Sequence, residues 1–306
     1  MRLQFLGTGS GLPSKERNVA ALAFNMLAER GEIWLFDCGE ATQHAILRTT
    51  IRPSKITKIF ITHLHGDHIF GLLGLLCSRS FQGGASALSV YGPVGIRQFI
   101  ETGLAVSASY LTYPLDIIEL AQEGVAFADA GIGVHYRTLK HGVQSYGYRI
   151  IESEQTGGLQ ADKLRDLGIP QGPLWGKLKQ GQTIELPDGR LIHGQDYLAP
   201  AQKGREVVIF GDTQFALEHV DFCRDADVLV HEATFGKEAA DLARQYGHAT
   251  CVEAAELARL AQVKCLYLTH ISARYHGQAA QLEHDARQIF AASYLVHDLL
   301  EVAITR

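Results

Sequence analysis

Thr62-His63-Leu64-His65-Gly66-Asp67-His68 places His63, His65, Asp67 and His68, all able to bind metal, within six consecutive residues. The stretch closes ITKIFITH (56–63), a β-rich apolar run that reads as a strand halting at His63. In an extended segment alternate residues face the same way, so His63 and His65 share a face. The chain then turns at Gly66, which lets Asp67 and His68 face a second point nearby. A split of this kind suits two ions rather than one. Imidazole and carboxylate together favour Zn²⁺, with Mn²⁺ or Fe²⁺ as alternative occupants. The competing reading is an exposed polar turn. Burying these groups without partners would cost roughly 2–7 kcal/mol each, so that reading holds only for a fully solvated turn.

Two ions need more ligands than this stretch supplies. Three candidates stand at the ends of other apolar runs: His141 after VHYRTLK, Asp212 after VVIFG and His270 after LYLT. A lone histidine in such a place is more often structural, but strand ends on one rim of a sheet converge on one surface. Asp212 is the natural bridge, because a carboxylate has two oxygens to share between two cations.

Around the motif the chain alternates strand and helix signals. Strands are expected at MRLQFL, VAALAFNML, EIWLFDCG, LSVYGP, 133–140, 145–151, EVVIFGD, DADVLVHEAT, KCLYLTH and LEVAITR. Helices are expected near 40–48, 70–77, 95–104 and 250–261. The pattern predicts an α/β fold of two sheets covered by helices. From Ser153 to about Arg205 the composition shifts to Gly, Pro and charge, with a slight excess of Lys and Arg. A stretch this long is more than a connection, and it reads as an inserted arm, 153–205, within one domain spanning 1–306.

Composition sets limits. The chain has 306 residues, 46% hydrophobic and 20% charged, with a net charge of −5. These values suit a globular protein and exclude a strongly basic surface, but not a local phosphate-binding patch. No apolar run reaches the length of a membrane span and the start has no secretory h-region, so the expected location is cytoplasmic, without a membrane partner. Five scattered cysteines with no Cys-x-x-Cys argue against a disulfide framework or zinc ribbon.

The ordered series GTGSGLPSKERN, FDCGEATQH, ITHLHGDH, GLLCSRSF, YGP, the Gly-Pro arm at 168–173, FGDT, VHEATF, GHAT and LTHISARY resembles the metallo-β-lactamase superfamily. More narrowly it is similar to the ribonuclease Z family of tRNA 3′-processing endonucleases, over essentially the whole chain. The resemblance implies an αββα sandwich of two mixed β-sheets with an inserted flexible arm acting as an exosite. It implies two Zn²⁺ per subunit, one held by His63, His65, His141 and Asp212, the other by Asp67, His68, Asp212 and His270. Asp37 would order the metal loop, Asp67 would accept the proton of the attacking water, and His248, oriented by Glu232, would donate to the leaving group. The chain carries Ala249 where the family more often has Ser.

The implied reaction is attack of metal-activated hydroxide on precursor tRNA, leaving 3′-OH on the tRNA and 5′-phosphate on the trailer. Arg17 and Arg274 would contact phosphate, and Gly172-Pro173 lies in the arm that would grip the tRNA. A homodimer is implied too. Phe81 and Tyr91 are expected in the core. The main alternative is a small-molecule phosphodiesterase, lactonase or thioesterase of the same superfamily. A non-catalytic scaffold should have lost a ligand, and a flavodiiron-like oxidoreductase would need a further domain.

Overall fold

The computed structural model of the protein describes residues 1–305. The chain divides into two compact units, 1–151 with 206–305, and 152–205.

The larger unit carries two seven-stranded sheets. The first runs in the order Glu301–Ala303, Arg2–Gly7, Ala21–Met26, Glu32–Phe36, Ile56–Phe60, Leu88–Pro93, Leu115–Leu120. It is antiparallel up to Glu32–Phe36 and parallel beyond it. The second runs Ser293–Leu295, Leu266–Thr269, Val228–Glu232, Glu206–Phe210, Ser145–Glu152, Ile132–Leu139, Gly124–Ala128. Its first four strands are parallel and its remaining edge is antiparallel, so both sheets are mixed.

Strand alternation sorts the side chains into layers. Trp34 and Phe36 point between the sheets with Phe24, Phe60 and Tyr91, against Tyr146, Tyr148, Ile209 and Val230 of the other sheet. Phe60 stacks between Phe36 and Tyr91 at centroid distances of 5.1 and 4.9 Å. Ile33 and Leu35 point the other way, into a core covered by Leu72, Leu75, Leu76, Ile96 and Ile100. Those residues belong to the helices Leu72–Phe81 and Ile96–Val106. On the far side, Val208, Leu229, Leu266 and Leu268 pack under Ala254, Leu257 and Ala258 of the helix Cys251–Leu260 and Leu282 of Ala280–Arg287. Three apolar cores between four layers make the expected αββα sandwich.

Three local expectations change. Gly66 does not make a simple turn; it opens one turn of helix, Gly66–Ile69. The helix expected near 70–77 runs Leu72–Phe81, with Phe70 65% exposed before it and Leu72, Leu75 and Leu76 on its buried face. Tyr91 is core as expected, but Phe81 is 90% exposed at the end of its helix. The edge strands Leu115–Leu120, Gly124–Ala128 and Ser293–Leu295 are additional to those read from the sequence.

The unit 152–205 has its own structure: helices Ala161–Asp166 and Pro173–Lys179, and a hairpin of Thr183–Glu185 with Leu191–His193. Leu164, Ile169, Leu178, Ile184 and Ile192 form a small core. Pro173 starts its helix, where a missing N–H costs nothing, and Gly172 precedes it. Arg205 pairs with Glu152 through Nε and Nη2 at 2.8 and 2.9 Å, both side chains buried.

Candidate metal centre

The strands Ile56–Phe60, Ile132–Leu139, Glu206–Phe210, Val228–Glu232 and Leu266–Thr269 each run out, at the C-terminal end, into a segment carrying polar residues. These bring together His63, His65, Asp67, His68, His141, Asp212, Glu232, His248 and His270. Gly211 is required at this convergence, since a Cβ there would lie 2.5 Å from Thr62 Cβ. Helix Cys251–Leu260 starts just beyond His248 with a capping box between Thr250 and Glu253, which fixes the chain there.

Two donor sets emerge. His63, His65, His141 and Asp212 form one and Asp67, His68 and His270 another, while Asp212 and His270 also lie within reach of His248 as a third, overlapping grouping. Asp212 faces both: its Oδ2 lies 3.6 Å from His63 Nε2, 3.6 Å from His68 Nε2 and 3.3 Å from His270 Nε2. A tetrahedral ion with bonds near 2.0–2.1 Å separates its ligands by about 3.3 Å. The first set shows 3.1 Å between His63 Nε2 and His65 Nδ1, and 3.4 Å between His65 Nδ1 and His141 Nε2. In the second set His68 Nε2 and His270 Nε2 are 3.3 Å apart, and His270 Nε2 is 3.4 Å from Asp67 Oδ2. Chemistry and spacing both fit divalent metal.

The other ring nitrogen of four histidines is held by the protein. His68 Nδ1 donates to Asp37 Oδ2 at 2.7 Å, and His141 Nδ1 donates to the Gly247 carbonyl at 2.7 Å. His63 Nδ1 lies 3.0 Å from Thr62 Oγ1, which itself donates to Asp37. His270 Nδ1 lies 2.9 Å from Thr234 Oγ1, which donates to Glu232. Each partner therefore leaves Nε2 as the lone-pair donor facing the centre. Asp37 also accepts the Thr62 N–H at 2.7 Å, so one carboxylate orders the whole 62–68 segment. Asp37 and His270 both adopt left-handed backbone, with φ of 58°. Such positions cost about 1–3 kcal/mol and persist only where the surroundings over-determine them.

Thr62, Thr234 and the Gly247 carbonyl are partners that sequence reasoning did not single out. Thr234 and Gly247 do lie inside HEAT and GHAT, which is the signal that marks them.

Electrostatics follow the layout. Burial would raise the Asp212 pKa, but His270, His68 and His63 hold it well below the usual carboxylate range. Burial, then His68, pushes His63 well down. Against burial, His270 and His68 keep Asp67 ionised. His248 is pushed the other way: burial opposes its charge, yet Glu232 raises it to about 9. His63, His68, His270 and Asp212 are buried, whereas His65 is exposed, so the centre opens on the His65 side. There an open cleft of about 800 Å³ is lined by Leu12, Pro13, Val19, Glu40, Asp67 and Phe70 among others.

The remaining expected residues are placed differently. Arg17 Nη1 donates to Thr8 Oγ1 and to the Val296 carbonyl, at 2.7 and 2.6 Å. Arg274 is exposed, with its guanidinium 5.2 Å from the Phe235 ring centroid. Gly172 and Pro173 belong to the separate unit 152–205. Ala249 is fully buried.

The chain is 53% identical over 308 residues to ribonuclease Z of Bacillus velezensis, with both chains covered completely. It is 54% identical over 299 residues to ribonuclease Z of Lactiplantibacillus plantarum, covering 97% of this chain and 96% of that one. It belongs to the ribonuclease Z family. Among solved structures, the short form of human tRNase Z aligns over 100% of both chains, with 30% identity and a TM-score of 0.72. The metallo-β-lactamase fold protein YhfI of Bacillus subtilis, 19% identical, shares the fold with a TM-score of 0.68 over 98% of each chain. A family model described as anti-Pycsar protein Apyc1 matches residues 1–146. In a ribonuclease Z, the rim of strand ends just described is the place to look for phosphodiester chemistry.

Proposed function

We propose that this chain is an endoribonuclease that removes the 3′ trailer from precursor tRNA, with a divalent-metal centre as its catalytic core. The observation that carries the reading is the pair of donor sets sharing Asp212, with the His248–Glu232 pair beside them. His63, His65, His141 and Asp212 would hold one ion, and Asp67, His68, Asp212 and His270 a second. Zn²⁺ suits this nitrogen-rich set best, Mn²⁺ or Fe²⁺ less well. Such ions, when bound, acidify water and offset charge on phosphoryl oxygens.

The protein groups divide the remaining work. Asp67 accepts a hydrogen bond from the attacking water and holds or takes its proton. Glu232 engages His248 Nδ1 at 2.8 Å, which leaves Nε2 to protonate the departing 3′-oxygen. Water adds to phosphorus, the P–O3′ bond breaks, and the products are a tRNA with 3′-OH and a trailer with 5′-phosphate. Arg274 contacts backbone phosphate from its exposed position, and Arg17 does so through the N–H groups its fold contacts leave over. The unit 152–205, with Gly172-Pro173 and its exposed lysines, grips tRNA by shape.

We assign the working form as a homodimer in the cytoplasm. No helix among the described residues is long and apolar enough to cross a membrane. Phe81, Val106 and Tyr110 leave apolar surface exposed, which suits contact with a second copy.

The test is cleavage of a 3′-extended precursor tRNA by purified protein, beside Asp67→Ala and a chelator control. One cut at the acceptor end, lost in both controls, supports the reading. Hydrolysis of a small phosphodiester without any cut in tRNA would move the assignment to a small-molecule phosphodiesterase.

A further inference from the structure

The loop 8–18 is tied at both ends to one carboxylate far away in sequence. Asp298 Oδ1 accepts from Thr8 Oγ1 at 2.6 Å, and Asp298 Oδ2 accepts from the Asn18 N–H at 2.6 Å. Arg17 braces the same corner, since its Nη1 donates to Thr8 Oγ1 and to the Val296 carbonyl. Inside the loop, Gly9 N–H donates to Asn18 O at 2.7 Å and Ser10 N–H to Ile271 O at 3.1 Å. The chain then turns through Gly11, whose φ of 72° favours glycine. Gly11 N–H donates to Asp67 Oδ2 at 2.7 Å. That oxygen is the one lying 3.4 Å from His270 Nε2 and 3.6 Å from His68 Nε2.

We propose that Asp298 is a positioning residue for the second donor set, acting through the 8–18 loop and the Gly11 N–H on Asp67. The inference rests on reading Asp67, His68 and His270 as metal ligands. A carboxylate oxygen has two lone pairs. Gly11 takes one and thereby fixes the rotation of the Asp67 carboxylate, so that the other would be free for a cation held with His68 and His270. A loop rich in Gly and Ser does not hold that geometry unaided, because ordering each of its residues costs conformational entropy. Two charge-assisted hydrogen bonds donated by Thr8 Oγ1 and the Asn18 N–H to the one Asp298 carboxylate close its base. The side-chain partners of Asp298 are Thr8 and Asn18, neither a member of a donor set.

The test is zinc binding to the full-length protein, measured by competition with a chromophoric chelator. The parent is compared with Asp298→Ala, Thr8→Val, Asp67→Ala and the Asp67→Ala/Asp298→Ala double variant. The expected result is that Asp298→Ala weakens one of two ions about 10- to 100-fold and leaves the other unchanged. Thr8→Val removes only the hydroxyl and weakens the same ion less, and it serves alone if Asp298→Ala does not fold. In the Asp67→Ala background, where that ion is already lost, Asp298→Ala adds nothing to the affinity of the remaining one. With tRNA, kcat falls and KM holds. Parental affinity for both ions in Asp298→Ala and Thr8→Val would overturn the proposal, as would equal weakening of both ions. A parent binding no second ion would instead overturn the metal reading itself, and the Asp298 link with it.

Discussion

Glu232 is the fixed partner of His248, with Oε1 2.8 Å from His248 Nδ1. The same carboxylate accepts the Thr213 N–H at 2.9 Å, the Thr234 N–H at 3.2 Å and the Thr234 hydroxyl at 2.5 Å. Four donors converge on it in a buried site, so its charge and orientation are set before substrate arrives.

That arrangement dictates a pH dependence. His248 must be protonated to donate, and Glu232 raises its pKa to about 9 against the opposing effect of burial. Activity should therefore fall as pH rises through the His248 value. Glu232→Gln removes the anion and moves this alkaline limb downward, toward the ordinary histidine range near 6.5. It should also lower kcat roughly 10²-fold or more at neutral pH. A kcat–pH profile checks both. An unmoved limb would remove His248 from the role of proton donor.

Asp37 belongs to neither donor set, yet it binds Thr62 twice and the set member His68 once. Asp37→Asn keeps the shape and tolerates the left-handed backbone. It loses the charge that orients His68. Metal affinity should drop about 10- to 100-fold with little change in fold, measured by zinc competition and circular dichroism.

Deletion of roughly residues 155–200 should spare hydrolysis of a small phosphodiester and abolish tRNA cleavage. The segment packs on its own core of Leu164, Ile169, Leu178, Ile184 and Ile192. Equal loss of both activities would assign the segment to the stability of the sandwich rather than to tRNA binding.

Acid sensitivity has a source remote from the metal centre. Glu32 accepts from Thr57 Oγ1 at 2.6 Å, Arg30 Nε at 2.9 Å and Trp34 Nε1 at 3.0 Å. Burial would raise its pKa, but these partners lower it. A depressed carboxylate contributes stability above its unfolded value and loses it as pH falls through the folded one. Glu32→Gln should cost about 1.5–3 kcal/mol at pH 7, and the gap to the parent should close on acidification below about pH 4. Denaturant melts at several pH values measure it.

The sequence by itself determined the layers and the chemistry. Apolar runs alternating with turn signals marked most strands, because a strand buried on both faces must be apolar throughout its length. His63, His65, Asp67 and His68 were legible because they are local: six residues carry most of the donors. Asp212, His141 and His270 were legible as strand ends. What the sequence left undecided depends on long-range approach. The edge strands Leu115–Leu120, Gly124–Ala128 and Ser293–Leu295 lie at the sheet margins and bury few of their side chains, so their pairing depends on neighbours remote in sequence.

Phe81, an aromatic residue expected in the core, is turned outward by its helix, which only the packing of neighbouring helices sets. The elements of the 152–205 unit were hidden by its Gly and Pro content. Above all, the contacts that orient the ligands, Asp37 to His68, Gly247 to His141, Thr234 to His270 and Asp298 to Thr8 and Asn18, join residues remote in the chain. Spacing along a sequence does not report such contacts. They exist because the two sheets stack their strand ends on one rim, and each buried polar atom there must find a partner.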